Sequence, residues 1–275
     1  FDQLIHTSNF KTKWLFNIHF SKLPAFKGMY TSILPILHGD RESGVTLHFI
    51  DDGIDTGEII DQLVFDLPSC CTGLRLYYLY LENGRMLLER NIKNLISCEI
   101  KSVKQSRSNS TYFAKSTIKF NDLEINFKQT AFQVTNYINA FSFRPYQLLK
   151  YKDFRIAKSF ITEKSSTLKP GTILDETESF FLLSTIDYDV CILKDRLESI
   201  LVSAEQNDFK RLDDYLNCGY DLTEKNMFGW DPLIVASYYG SFDTINYILQ
   251  NRLINVNTKN NNGTTALMYA MTYAV

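Results

Sequence analysis

The sequence predicts an α/β domain, followed by a small β domain and an all-α repeat tail. Three observations predict it. Strand-like apolar runs near the N-terminus alternate with turn-rich loops and lead into long stretches with helical spacing. Between residues 153 and 193, short β-like runs are broken by a Pro-Gly pair. Beyond residue 197 the pattern repeats itself with a period near 33 residues.

The first element is Trp14-Leu15-Phe16, an apolar run that reads as a buried strand and continues through Asn17-Ile18-His19-Phe20. Successive strand side chains point to opposite faces, so Asn17 and His19 share one face. Pro24 takes the chain out of the sheet. An amide and an imidazole thus stand together at the C-terminal end of a strand, where open α/β sheets build their sites. A second strand is expected over Gly44-Val45-Thr46-Leu47-His48-Phe49-Ile50, followed by the turn Asp51-Asp52-Gly53-Ile54-Asp55-Thr56-Gly57. A hairpin-like return would bring Asp55 to His19. An amide, an imidazole and a carboxylate then supply an oxyanion donor, a general acid/base and a group to orient it. His6, His38 and His48 lack such neighbours in the sequence and read as structural or exposed.

Asn17-x-His19-x-Ser21-x-Leu23-Pro24 closed by Gly28, then Gly44-Val45-Thr46 and the Asp51–Gly57 turn, resemble the folate-dependent formyltransferases. That family includes the methionyl-tRNA, glycinamide-ribonucleotide and sugar-nucleotide N-formyltransferases. The resemblance implies a Rossmann-like catalytic domain with Asn17, His19 and Asp55 as catalytic residues. It implies N10-formyltetrahydrofolate as co-substrate, its pterin read by the loop containing Asp51, Asp52, Gly53 and Ile54. In the family several strands and helices precede the Asn-x-His strand. Only 16 residues do so here, so the resemblance covers the second half of that domain and its N-terminal half is expected to be missing.

Residues 1–13, polar and then basic, read as the end of a helix. Leu74, Tyr77, Tyr78, Leu81, Met86, Leu87, Ile92 and Leu95 lie at helical spacing and predict one helix or two over 73–97, with these residues as its core stripe. A Ser/Asn-rich basic loop follows and ends at Thr111-Tyr112-Phe113. A further helix is predicted over 131–141, closing in Phe141-Ser142-Phe143-Arg144-Pro145-Tyr146. The order of these segments resembles the family's linker. The β-like runs that follow are Phe154–Ala157, Lys169–Leu174, Phe180–Leu183 and Tyr188–Leu193. They predict a meander similar to the small barrel-like domain of methionyl-tRNA formyltransferase. In the tail, Gly229-Trp230-Asp231-Pro232-Leu233 aligns with Gly263-Thr264-Thr265-Ala266-Leu267, and the G-x-x-P-L-x-x-A signature looks like ankyrin repeats. So few repeats are expected to lean on the catalytic domain. The domains are therefore placed at 1–150, 151–196 and 197–275.

The 275 residues carry a net charge of −2, which advertises no polyanionic partner. The five cysteines show no C-x-x-C or zinc spacing, and their odd number fits reduced thiols and a cytoplasmic location. No signal peptide, membrane span or metal-ligand cluster is evident. Residues 101–158 hold eleven Lys/Arg against three Asp/Glu, a solvated face or a seat for a phosphate-bearing acceptor. Arg144 is the sharpest candidate for phosphate, with Phe143 and Tyr146 able to flank a base or sugar. Trp230 offers a stacking face for a nucleobase or else packs against its own protein. The tail holds five basic and nine acidic residues, which argues against tRNA.

A formyltransferase catalytic half, a β domain and an ankyrin tail together resemble the dTDP-amino-sugar N-formyltransferases of O-antigen synthesis. The expected acceptor is the amine of a dTDP-linked amino-deoxy sugar such as dTDP-3-amino-3,6-dideoxy-glucose. A homodimer is plausible for that family. The rival expectations are a methionyl-tRNA formyltransferase and a non-catalytic ankyrin scaffold.

Overall fold

The computed structural model describes residues 6–12 and 14–273. Of the helix end expected over 1–13, residues 1–5 and 13 lie outside the described residues, and within 6–12 only Thr7–Asn9 form a 3-10 turn. The chain divides into two compact units. The first holds the chain up to Ile125 together with Phe132–Phe143, and the second holds Asn126–Ala131 and everything from Arg144 onward.

In the first unit the elements run β1 (Phe16–His19), β2 (Lys27–Gly28), α1 (Leu34–His38), β3 (Glu42–Phe49), β4 (Ile59–Asp66), α2 (Gly73–Ser97), β5 (Tyr112–Phe113) and α3 (Ala131–Ala140). The unit boundary passes just inside the start of α3. β1, β3 and β4 form an antiparallel sheet in that order, while β2 pairs with β5 in parallel. The first strand starts at Phe16 rather than Trp14, although the Leu15 carbonyl still accepts a bond from the Ile50 N–H at 2.8 Å.

β3 is buried over six consecutive residues, Ser43 to His48, because both faces of the sheet are covered there. One face carries Ile18, Ser43, Val45 and Leu47 and packs on α2, which begins at a Thr72 cap accepting from the Arg75 N–H. The Tyr80 hydroxyl lies 2.7 Å from Ser43 Oγ, and Phe20 stacks on the Tyr80 ring.

The segment 73–97 is a single helix, and its buried stripe is Leu76, Tyr80, Gly84, Leu87 and Asn91. This corrects the expected stripe: Tyr78, Leu81, Met86 and Ile92 face outward. Apolar residues occur all round α2, so periodicity alone could not choose the face. Gly84 lies on the buried face, where Ile18 and Phe20 come within van der Waals reach of the position a Cβ would take.

The second unit begins with a five-stranded antiparallel sheet of β6 (Leu149–Tyr151), β7 (Phe154–Ile161), β8 (Ile173–Glu176), β9 (Phe180–Leu183) and β10 (Val190–Lys194), ordered β6-β7-β10-β9-β8. The Pro170-Gly171 pair forms the expected turn, with the Thr172 N–H bonding back to the Lys169 carbonyl at 3.0 Å. Five helices follow: α4 (Leu197–Glu205), α5 (Phe209–Asn217), α6 (Pro232–Tyr239), α7 (Phe242–Gln250) and α8 (Ala266–Tyr273).

The helices lean on the β sheet of their own unit. Cys191 and Leu193 on one face of β10, with Phe160, Phe180 and Leu182 beside them, join a core running through Ile200, Leu212, Leu233, Ile234 and Ile248 to Ala266. Val190 and Ile192 face the other way, with their ladder partners Leu183 and Phe181. Tyr220, just after α5, donates its hydroxyl toward the Ser179 and Lys194 carbonyls at 2.7 and 2.8 Å. No helix among the described residues is long and apolar enough to cross a membrane.

Candidate functional site

The face of the β1–β3 pair turned away from α2 carries the site. Antiparallel register sets Asn17 opposite His48 and His19 opposite Thr46, so all four side chains share that face. Thr46 is fully buried and fixes the chain leaving β1: its hydroxyl donates to the Ser21 carbonyl at 2.7 Å and accepts from the Leu23 N–H at 3.2 Å. That anchor delivers the Phe26 carbonyl to His19 Nε2, 2.8 Å away. The other ring nitrogen, Nδ1, lies 3.4 Å from Asp55 Oδ1. The expected return of Asp55 to His19 is present.

Asp55 is held from three sides. Its Oδ2 accepts the Gly28 N–H at 2.9 Å, and its own carbonyl accepts from Gln105 Nε2 at 2.8 Å. Its backbone sits at φ 54°, a left-handed conformation uncommon outside glycine. The turn before it is tied internally: Asp51 Oδ1 accepts from the Gly53 N–H at 3.1 Å and the Thr56 hydroxyl at 2.6 Å, and Asp52 accepts from the Thr7 hydroxyl at 2.7 Å. Two glycines allow these approaches. A Cβ at Gly57 would lie 1.8 Å from the Phe49 carbonyl oxygen, and one at Gly28 would lie 2.4 Å from that of Phe113.

His48 belongs to this constellation, contrary to its reading as structural or exposed. It is buried, and burial pushes its pKa down, which keeps the ring neutral near pH 7. Nδ1 lies 2.7 Å from the Phe49 carbonyl and must carry the proton there. Nε2 is then a lone pair, and it faces Asn17 Nδ2 at 3.3 Å and Asp55 Oδ1 at 3.7 Å. The tautomer therefore fixes which end of the Asn17 amide is NH2, and that group carries a second N–H besides the one facing His48. Alternation along β3 puts Thr46 and His48 on one face, but only the register with β1 puts His48 opposite Asn17, and the sequence does not show that register. Gln105 was missed too, because nothing local marks a contact 50 residues away.

The remaining candidates have neighbours of their own. Ile54 is exposed on the Asp51–Asp55 turn. Phe143, in the first unit, packs on Tyr77 with ring centres 5.5 Å apart. Arg144, Tyr146 and Trp230 lie in the second unit. The Arg144 guanidinium is buried, with Nε donating to Glu224 at 2.8 Å and a terminal nitrogen to Asp195 at 2.6 Å. These carboxylates compete with the phosphate expected for it from sequence. Tyr146 is largely exposed. Trp230 is half-buried against Tyr238 and Tyr269, at 5.2 and 5.1 Å, so packing is what its indole does in this structure.

Comparison with known proteins bears on this geometry. The model of the formyl transferase family matches residues 5–72, that of the formyl transferase C-terminal domain matches 117–205, and that of ankyrin repeats matches 200–274. The crystal structure of WlaRD, a sugar 3N-formyl transferase solved in the presence of dTDP and 5-N-formyl-THF, is 43% identical over 70% of each chain, with a TM-score of 0.65. The chain belongs to the formyltransferase family. The N-formyltransferase from Helicobacter canadensis, solved with folinic acid and dTDP-3-aminofucose, is 41% identical over 71% of each chain, also at a TM-score of 0.65. The methionyl-tRNA formyltransferase of Ureaplasma parvum is 28% identical over 179 residues. This formyltransferase chain spans 58% of that curated relative's length.

Proposed function

We propose that this formyltransferase chain moves a formyl group from N10-formyltetrahydrofolate to the amine of a dTDP-linked amino-deoxy sugar. The observation that carries this reading is the Asn17–His19–Asp55 constellation, with the Asn17 amide oriented by a neutral His48. Bound formyltetrahydrofolate supplies the one-carbon group. Asn17 presents an N–H to the formyl oxygen where charge develops, and a preorganised donor of that kind is worth about 3 kcal/mol. His19, with Nε2 at the Phe26 carbonyl and Nδ1 at Asp55, is proposed to pass protons, and it donates toward the same oxygen by turning its Nε2 proton from the Phe26 carbonyl to the bound formyl group. Asp55 accepts the proton that the amine sheds, directly or through water. The turn with Asp51, Asp52, Gly53 and Ile54 is the proposed seat of the pterin, pre-shaped by the bonds that Asp51 and Asp52 make.

The sugar acceptor rests on the identity to the two sugar N-formyltransferases and on the repeat tail they accompany here. Regions 1–150, 151–196 and 197–275 are proposed as catalytic part, β domain and repeat tail. A role in O-antigen sugar synthesis, a cytoplasmic location and a homodimer belong to the same proposal. The test offers dTDP-3-amino-3,6-dideoxy-glucose, dTDP-3-aminofucose and charged initiator methionyl-tRNA side by side with N10-formyltetrahydrofolate. Formylation of a sugar alone is the expected result. Formylation of the tRNA alone refutes the acceptor, and no transfer to any of the three refutes the enzyme reading.

A further inference from the structure

A cleft of about 550 Å³ opens in the first unit beside Asp55. Its walls include Lys27, Lys104 and Arg107, two carboxylates, Asp51 and Glu58, and Gln105. Neither carboxylate forms an ion pair with these cations: Asp51 holds its own turn, and Glu58 accepts the Ser102 hydroxyl at 2.6 Å, so both stay as negative charge in the cleft wall. Among the described residues none pairs with the three cations. Gln105 donates through Nε2 to the Asp55 and Gly57 carbonyls, both at 2.8 Å, which turns its Oε1 away from them. That Oε1 is buried and has no donor. Such an orphan acceptor calls for an O–H or N–H from an occupant.

We infer that this cleft seats the diphosphate of the nucleotide-linked acceptor. Three cations against two carboxylates leave the cleft a net positive charge, and none of the three is ion-paired, so they suit an anionic group that can bridge them, with Arg107 adding a planar fork for phosphate oxygens. The orphan Gln105 Oε1 accepts from a hydroxyl beside the phosphates or from a water they order. Placement fits the chemistry. Lys27 precedes Gly28, whose N–H is held by the Asp55 carboxylate, and Gln105 holds the Asp55 carbonyl. An anion seated on Lys27 and beside Gln105 therefore registers the rest of the acceptor against Asp55. This inference rests on the acceptor being a nucleotide sugar. The carboxylates of a folate glutamyl tail are the other source of anionic charge, and the test separates the two.

The variant is Lys104→Met with Arg107→Met in the full chain. Both side chains are exposed, so the fold is expected to persist, with an unchanged melting temperature as the control. Calorimetry with inorganic pyrophosphate reads the seat itself, and steady-state kinetics read KM for the nucleotide amino sugar against KM for the folate. The expected result is an affinity for pyrophosphate and a KM for the sugar each about tenfold worse, with the folate KM unmoved. Unchanged pyrophosphate binding overturns the inference. A raised folate KM with an unmoved sugar KM overturns it too, in favour of the glutamyl tail. If the wild type formylates no nucleotide sugar yet loses pyrophosphate binding in the variant, the acceptor reading falls while the oxyanion seat is upheld.

Discussion

Replacing His48 by Leu tests whether the imidazole acts on the reaction through Asn17. The substitution removes the lone pair 3.3 Å from Asn17 Nδ2 and nothing else that points into the site. What is lost is the bond that makes one orientation of the Asn17 amide better than its flip. A buried hydrogen bond of this kind is worth about 1 to 1.5 kcal/mol. At 1.36 kcal/mol per tenfold in rate, kcat should fall about tenfold. Removing the donor itself, with Asn17→Ala, should cost about a hundredfold or more.

The decisive variant carries both changes. If His48 only orients Asn17, His48→Leu adds little once Asn17 is Ala, so the double variant matches Asn17→Ala within about twofold. His48→Gln, whose amide oxygen can reach the position of Nε2, should stay within about threefold of wild type. The assay is single-turnover formyl transfer, which isolates chemistry from product release. A fully multiplicative double variant, near a thousandfold, would refute the reasoning and make His48 an independent participant acting on Asp55 at 3.7 Å.

Three further outcomes follow from the geometry. Gly57→Ala drives a Cβ into the Phe49 carbonyl oxygen at 1.8 Å, so the Asp51–Gly57 turn must move, and transfer should fall at least a hundredfold with a lowered melting temperature; near-normal activity would show that the turn is not rigidly placed. Arg144→Met strands Asp195 and Glu224, which are only partly shielded, and should lower unfolding stability by about 2 kcal/mol in denaturant titrations; unaltered stability with a raised acceptor KM would return Arg144 to phosphate recognition. The lowered His48 pKa means that the unfolded chain takes up this proton first. Its contribution to stability is whole above pH about 6.5 and is lost as pH falls from there toward the folded value, so the wild-type curve should steepen below 6.5 relative to His48→Gln, as read by melting temperature against pH.

What could be read in the sequence was whatever is encoded locally. The parity of Asn17 and His19, the turn chemistry of Asp51–Gly57, the Pro170-Gly171 turn and the 33-residue period each depend on neighbours in the chain, and each has its counterpart in the structure. The expectation that Asp55 returns to His19 needed only a hairpin-like fold-back. What escaped depends on pairings between distant segments. His48 acquires its role from a ladder register, Gln105 from a contact 50 residues away, and Arg144 from carboxylates 51 and 80 residues away. The outward-facing Tyr78, Leu81 and Met86 illustrate a different limit: on a helix apolar all round, the glycine marks the buried side better than the large residues do.

β10 is a party wall. Alternate side chains along one strand belong to two cores, Val190 and Ile192 to the sheet, Cys191 and Leu193 to the helices. Repeat arrays are commonly regarded as strings of interchangeable beads, lengthened or shortened by recombination at either end. Here only the far end is open to that kind of change. A cut at Arg196 would strip one plaster from the strand and leave Leu193, Phe180 and Leu182 facing water, so the sheet and its first helices should be inherited, expressed and lost as one piece.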